Sequence, residues 1–180
     1  SGSRFAPEQI RLASWGLEEY SPTFDKHLED CNFHDVGDLE FPLGNTKKSL
    51  EMIADNVRQI YKDGKRVFGI GGEHLVTYPE IIAVSEFYKD LAIIHFDAHT
   101  DLRTEYLGEE LSHSAVIRLS TKFVNPENIK QIGIRSGMKE EFEFMKKYNT
   151  LCSSYSDLDK LKGKPVFVTV DLDVLDTSIM

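Results

Sequence analysis

Four short apolar runs, at 65–70, 91–96, 129–134 and 165–170, recur along the chain with segments of helical spacing between them. Each run is compact and largely apolar, without a strict in/out alternation, which predicts strands covered on both faces. Between them, Leu50, Ile53, Ala54, Val57, Ile60 and Tyr61 recur at intervals of three and four after a capping Asn45 or Thr46. Gly64 then stands where a helix C-terminus favours a residue that tolerates positive φ. Thr77-Tyr78-Pro79-Glu80 has the form of a capping box opening a helix to about Tyr88. A further helix starts at Ser136 or Gly137 and carries Phe142, Met145 and Tyr148. Strand–helix–strand alternation with short connections predicts an α/β fold with a central parallel sheet and helices on both faces. Ligands in such sheets bind beyond the carboxyl ends of the strands, so function is sought there.

Three of the runs end in polar groups. The first leads into Gly71-Gly72-Glu73-His74, the second into Asp97-Ala98-His99-Thr100-Asp101, and the fourth into Asp171-Leu172-Asp173. Alternate residues of a strand share a face, so Asp97 with His99, and Asp171 with Asp173, can point the same way. Asp101 lies where strand gives way to loop and can fold back. The topology therefore gathers His74, Asp97, His99, Asp101, Asp171 and Asp173 into one crevice. Four carboxylates crowded together require raised pKa values or compensating cations. Two divalent ions would balance them, at a spacing of ~3.5–4 Å as in two-metal hydrolases. An oxygen-rich shell with two imidazoles and no thiolate favours manganese over structural zinc. Gly71-Gly72 suits a place where backbone approaches closely beside the metals. His95 shares the parity of Asp97 and His99 but lies one step deeper, as a supporting or core histidine.

The composition narrows the partners. A formal charge of −9 on 180 residues argues against nucleic acid, which requires basic patches, and is compatible with steering a cationic small substrate. No apolar run approaches the ~18 residues of a membrane span. Cys31 and Cys152 stand far apart without CxxC spacing, which fits reduced thiols in a cytoplasmic protein.

These three motifs, in this order, resemble those of the ureohydrolase (arginase/agmatinase) family, and 1–11 resembles a segment near the N-terminus of agmatinases. The resemblance implies a three-layer arginase-like fold. It implies that 1–180 is a single ureohydrolase domain lacking the family's start and its C-terminal part, the latter carrying the glutamate that contacts the guanidinium. It further implies two Mn²⁺ ions, with His74 on one and His99 on the other, Asp97 and Asp171 bridging, Asp101 completing the first shell and Asp173 the second. Ser112-His113-Ser114-Ala115 resembles the agmatinase segment whose histidine relays protons, so His113 is a catalytic candidate, with Asp101 also placed to steer the attacking water. The family motif usually continues Asp-Pro where this chain has Asp176-Thr177.

Arginases follow the second motif with an Ile-Asn pair that reads an amino-acid carboxylate. Here Leu102-Arg103-Thr104-Glu105 follows, which looks agmatinase-like. The implied activity is hydrolysis of agmatine to putrescine and urea, a step of polyamine biosynthesis, by a cytoplasmic homo-oligomer (trimer or hexamer). Arginase, guanidinobutyrase (with Arg103 receiving a substrate carboxylate) and related formimino hydrolases are the alternatives. Outside this class stand a dinuclear phosphoesterase, for which no basic phosphate clamp is evident, and a non-catalytic metal-binding relative.

Overall fold

The computed structural model describes residues 2–178, so Ser1, Ile179 and Met180 fall outside it. After a 3₁₀ turn at Gly2–Phe5 come α1 (Ala6–Ser14) and a two-stranded antiparallel ribbon, β1 (Tyr20–Ser21) with β2 (Lys26–His27). Then follow α2 (Thr46–Lys62), α3 (Thr77–Ser85), β3 (Ala92–Phe96), α4 (Val116–Ser120), β4 (Ile129–Ile132), α5 (Lys139–Tyr148) and β5 (Val166–Val170). The main sheet is parallel with order β4-β3-β5, so the strand carrying the DAHTD motif runs between the other two. No described helix is long and apolar enough to cross a membrane.

Helix α2 forms as its spacing predicts. The Asn45 side chain accepts from the Lys48 amide, and Gly64 closes the far end at φ +72°. Its apolar stripe, Ile53, Ala54 and Val57, belongs to one buried cluster with Ile81 and Val84 of α3 and Ile93 and Ile129 of the sheet. Burial of such side chains stabilises by ~1.5–3 kcal/mol each, which makes this cluster the anchor that holds β3 and β4 in place. At the end of α5, Asn149 takes the left-handed conformation, and buried Lys130 donates to its carbonyl, a cation at a helix C-terminus.

Several expectations change. Segment 65–70 is not a strand, because it has no ladder partner among the described residues; Phe68 is 91% exposed and only Val67 packs on the core. The third strand stops at Ile132 rather than 134. Both faces of β3 are largely covered, but β5 is open on one, with Val166, Val168 and Val170 exposed. Thr77 and Glu80 form no capping box. A 3₁₀ turn at His74–Val76 runs directly into α3, so Thr77 is already helical and its hydroxyl meets Thr169 Oγ1 at 3.2 Å. Helix α3 ends at Ser85 rather than near Tyr88, and α5 begins at Lys139, two to three residues after the expected start. There the Glu141 carboxylate caps the Met138 amide and also accepts from the Leu102 amide at 3.2 Å.

Freed from capping, the Glu80 carboxyl lies mostly buried against Gly69, where an added Cβ would meet its Oε1 at 2.3 Å. Burial without a described donor pushes its pKa up to about 7. The folded state therefore holds a proton that the unfolded chain has released between about pH 4.5 and 7, and stability falls as pH rises through that window. Glu80→Gln is expected to match the parent near pH 4.5 and to exceed it by roughly 3 kcal/mol above pH 7. Denaturant unfolding at pH 5, 6.5 and 8 tests this, and parallel curves for the two proteins would refute it.

Candidate metal centre

Strand β3 ends at Phe96 and β5 at Val170, so the acidic residues emerge just past the carboxyl ends of adjacent parallel strands. The Asp171 amide still donates to the Phe96 carbonyl at 2.8 Å, which holds the two exits together. Asp97 is 1% exposed; its Oδ1 accepts the His99 amide at 2.6 Å, and its Oδ2 lies 2.9 Å from His95 Nε2. Asp173 Oδ1 accepts the Ala98 amide at 3.0 Å, which ties the third motif to the second. Asp101 folds back as its sequence position implies, at φ +50°, while its carbonyl accepts from the Ile117 and Arg118 amides.

Two groups of ligand atoms result. In the first, His74 Nδ1 lies 2.9 Å from Asp101 Oδ2, 3.1 Å from Asp97 Oδ2 and 3.6 Å from Asp171 Oδ2. In the second, His99 Nδ1 lies 2.9 Å from Asp173 Oδ2 and 3.5 Å from Asp97 Oδ1. Asp97 belongs to both, one oxygen to each. Despite its short distances, His74 Nδ1 is a buried atom without a hydrogen bond, because the carboxylates lie off the direction a ring N–H would take. A ring nitrogen beside the gathered carboxylate oxygens of Asp97 and Asp101, with Asp171 Oδ2 at 3.6 Å, is the donor set of a hard or borderline cation.

The charges agree. Burial lowers the pKa of His74, but the negative charge of the nearby Asp101 and Asp97 carboxylates outweighs this and pushes it up to about 10. Burial raises Asp97, yet His74 and His95 carry it well below the usual carboxylate range, while burial leaves Asp101 raised. Without a cation, the cage must recruit a proton. The residues present fit divalent metal, and a metal would replace that proton.

Comparison with known proteins agrees with this geometry. Residues 1–180 match the arginase family along their whole length. This chain belongs to the arginase family. It is 53% identical over 182 residues to the agmatinase of Bacillus subtilis (strain 168), covering 97% of this chain and 63% of that protein. Against the Bacillus anthracis agmatinase it is 51% identical with the same coverage. The arginase-family chain thus spans less than two thirds of the length of these relatives. A Clostridium difficile structure provisionally described as an agmatinase superposes with a TM-score of 0.90 at 45% identity, covering 98% of this chain and 67% of that one. The agmatine ureohydrolase of Thermoplasma volcanium gives 0.84 at 29% identity, covering 98% and 63%. The arginase-like α/β fold is established by these neighbours.

All six residues expected to ligate metal come together in the arginase-family chain. His113 stands apart from both groups, on a 3₁₀ turn at His113–Ala115, with Nδ1 3.4 Å from Glu73 Oε1 and its ring edge-on to Tyr106 at 5.5 Å. Arg103 stacks its guanidinium over Tyr106 at 5.2 Å, and its amide donates to the Ser114 carbonyl. The tightness of Gly72 has a different cause from the one expected. Its missing Cβ would fall 1.9 Å from the Ser3 carbonyl oxygen, so the close approach is to the N-terminal 3₁₀ turn rather than to the metal groups. Sequence reasoning did not single out Glu73, Gln131, Thr150 and Thr169. The one available signal was a polar residue inside an apolar run, Gln131 in 129–132 and Thr169 in 166–170.

Proposed function

We propose that this chain carries the metal-ligating part of a manganese-dependent amidine hydrolase that releases urea from a guanidino compound, agmatine foremost. The observation that carries it is the buried, unbonded His74 Nδ1 facing Asp97, Asp101 and Asp171 in a chain about half identical to agmatinases. His74, Asp97, Asp101 and Asp171 would hold one ion, and His99, Asp173 and the other oxygen of Asp97 a second. Two Mn²⁺ would supply Lewis-acid activation of water and offset the four carboxylates.

The protein's own groups do the rest. Asp101 presents a fixed carboxylate at the buried end of the crevice and orients the attacking water by hydrogen bonding. Water adds to the guanidinium carbon, the C–N bond to the alkyl amine breaks, and urea and an alkylammonium result. The departing nitrogen needs a proton, and we assign His113 to pass one from solvent, a role supported by its 55% exposed side chain and its Nδ1 facing Glu73. The carboxylate of Glu73 gives the rim a charge suited to a cationic tail. Free Cys31 and Cys152 fit a cytoplasmic setting.

The test is urea release by the intact protein from agmatine, arginine and 4-guanidinobutyrate. Agmatine should be turned over fastest. Chelation should abolish activity, and Mn²⁺ should restore it better than Mg²⁺, which keeps its waters and has little affinity for imidazole. Full turnover in a metal-free preparation would overturn the reading.

A further inference from the structure

The register of the sheet places three polar side chains in one row. His95 of β3 stands opposite Gln131 of β4 and Thr169 of β5. All three are buried, directly beneath the ligand groups. We propose that Gln131 and Thr169 are positioning residues that fix the tautomers of His95 and His74, so that the site presents a carboxylate lone pair and an imidazole lone pair to the metal. This rests on the metal reading above.

The hydrogen bonds of Gln131 leave it one orientation. Its Oε1 accepts from Thr150 Oγ1 at 2.9 Å, and its Nε2 donates to the Thr100 carbonyl at 2.7 Å. The same NH₂ lies 3.1 Å from His95 Nδ1, which must therefore accept. The ring proton of neutral His95 is then on Nε2, 2.9 Å from Asp97 Oδ2. One lone pair of that oxygen is tied down from below, and the other is left for a cation. His95 lies within reach of the first ligand group, but with its proton on Nε2 it acts as a donor and not as a ligand.

The other half of the row acts on His74. Its Nε2 lies 3.0 Å from Thr169 Oγ1, which in turn lies 3.2 Å from Thr77 Oγ1. A proton on Nδ1 would find no aligned acceptor, since that atom is unbonded in spite of its near carboxylates. The proton belongs on Nε2, donated to Thr169, whose own hydroxyl turns to Thr77. Nδ1 is left bare toward Asp97, Asp101 and Asp171. A ligating histidine whose other N–H is held in this way has its ring orientation set before the metal arrives.

The experiment uses the intact protein with ¹⁵N-labelled histidine, read by long-range ¹H–¹⁵N spectra, beside titrations with Mn²⁺. His95 is read without metal. His74 is read with diamagnetic Zn²⁺ bound, the state in which its Nδ1 would ligate. The parent should show Nε2–H for both rings. Gln131→Met should give His95 mixed tautomers, and Thr169→Val, close in shape and so the safer variant for folding, should disturb His74 alone. Each should weaken Mn²⁺ binding by roughly 10–100-fold, and Thr169→Ser should restore it. A parent with Nδ1–H on His95, or variants with unchanged spectra and Mn²⁺ affinity, would overturn the proposal. A parent that binds neither ion would overturn the metal reading and the Thr169 half with it, while the His95 spectra still decide the Gln131 half.

Discussion

Asp97→Ala is expected to remove both metal positions at once, whereas Asp173→Ala should remove only the second. Among the described residues, Asp97 alone contributes to both ligand groups, Oδ2 at 3.1 Å from His74 Nδ1 and Oδ1 at 3.5 Å from His99 Nδ1. Losing a residue that merely supports a ligand costs ~10–100-fold in metal affinity. Losing the shared ligand itself should cost at least that at each position, on the order of 10²–10⁴-fold overall, and urea release should fall to background. Asp97→Ala also leaves the His95 Nε2–H and the His99 amide without their acceptor, so stability should drop by about 1–3 kcal/mol for each buried donor left unpaired. Asp173→Ala strands only the partly exposed Ala98 amide. Metal stoichiometry after Mn²⁺ loading, on protein shown to be folded, separates the two. One ion retained in both variants would show that Asp97 serves a single position.

The second large effect belongs to His113. His113→Ala should lower kcat by ~10²–10⁴-fold, the usual cost of a positioned general acid, with both ions still bound. The geometry makes the metal result specific. His113 touches Glu73 and Tyr106 and no ligand-group atom, and its side chain is half exposed, so its removal opens no core cavity. Added imidazole should enter the vacated rim and recover part of the rate. His99→Ala serves as the contrast, since it deletes a ligand within 2.9 Å of Asp173 and should weaken the second ion. Metal loss in His113→Ala would make it a ligand, and near-normal kcat across the pH range would make it a bystander at a turn.

The convergence of the six candidate ligands was legible in motif order and strand–helix alternation, although His74 arrives on a 3₁₀ turn rather than at a strand end. The α/β alternation places the ends of β3 and β5 together, with Asp97 and Asp171 directly after them. Asp173, by contrast, is carried by a 3₁₀ turn at Leu172–Val174 that Asp171 caps and not by the strand alternation expected of the pair. Asp101 was readable as the point where extended chain must turn. The helix at Thr46–Lys62 followed from its apolar stripe and the Asn45 cap. Where local signals misled, a tertiary partner had outcompeted them. Thr77 and Glu80 spell a capping box, but Thr77 meets Thr169, 92 residues away, and Glu80 is buried against Gly69. The apolar run at 65–70 has the composition of a strand but no neighbour to pair with, and a strand exists only as part of a ladder.

What the sequence by itself determined is which six side chains could meet a metal, since each motif is complete within a few residues. What only the tertiary structure decided is how those side chains are held. The row of Gln131, His95 and Thr169 exists only once β4, β3 and β5 settle into one register, and a slip of one residue would turn every member to the opposite face. The pairing of His113 with Glu73 likewise joins residues forty positions apart, across a gap that no local spacing rule spans.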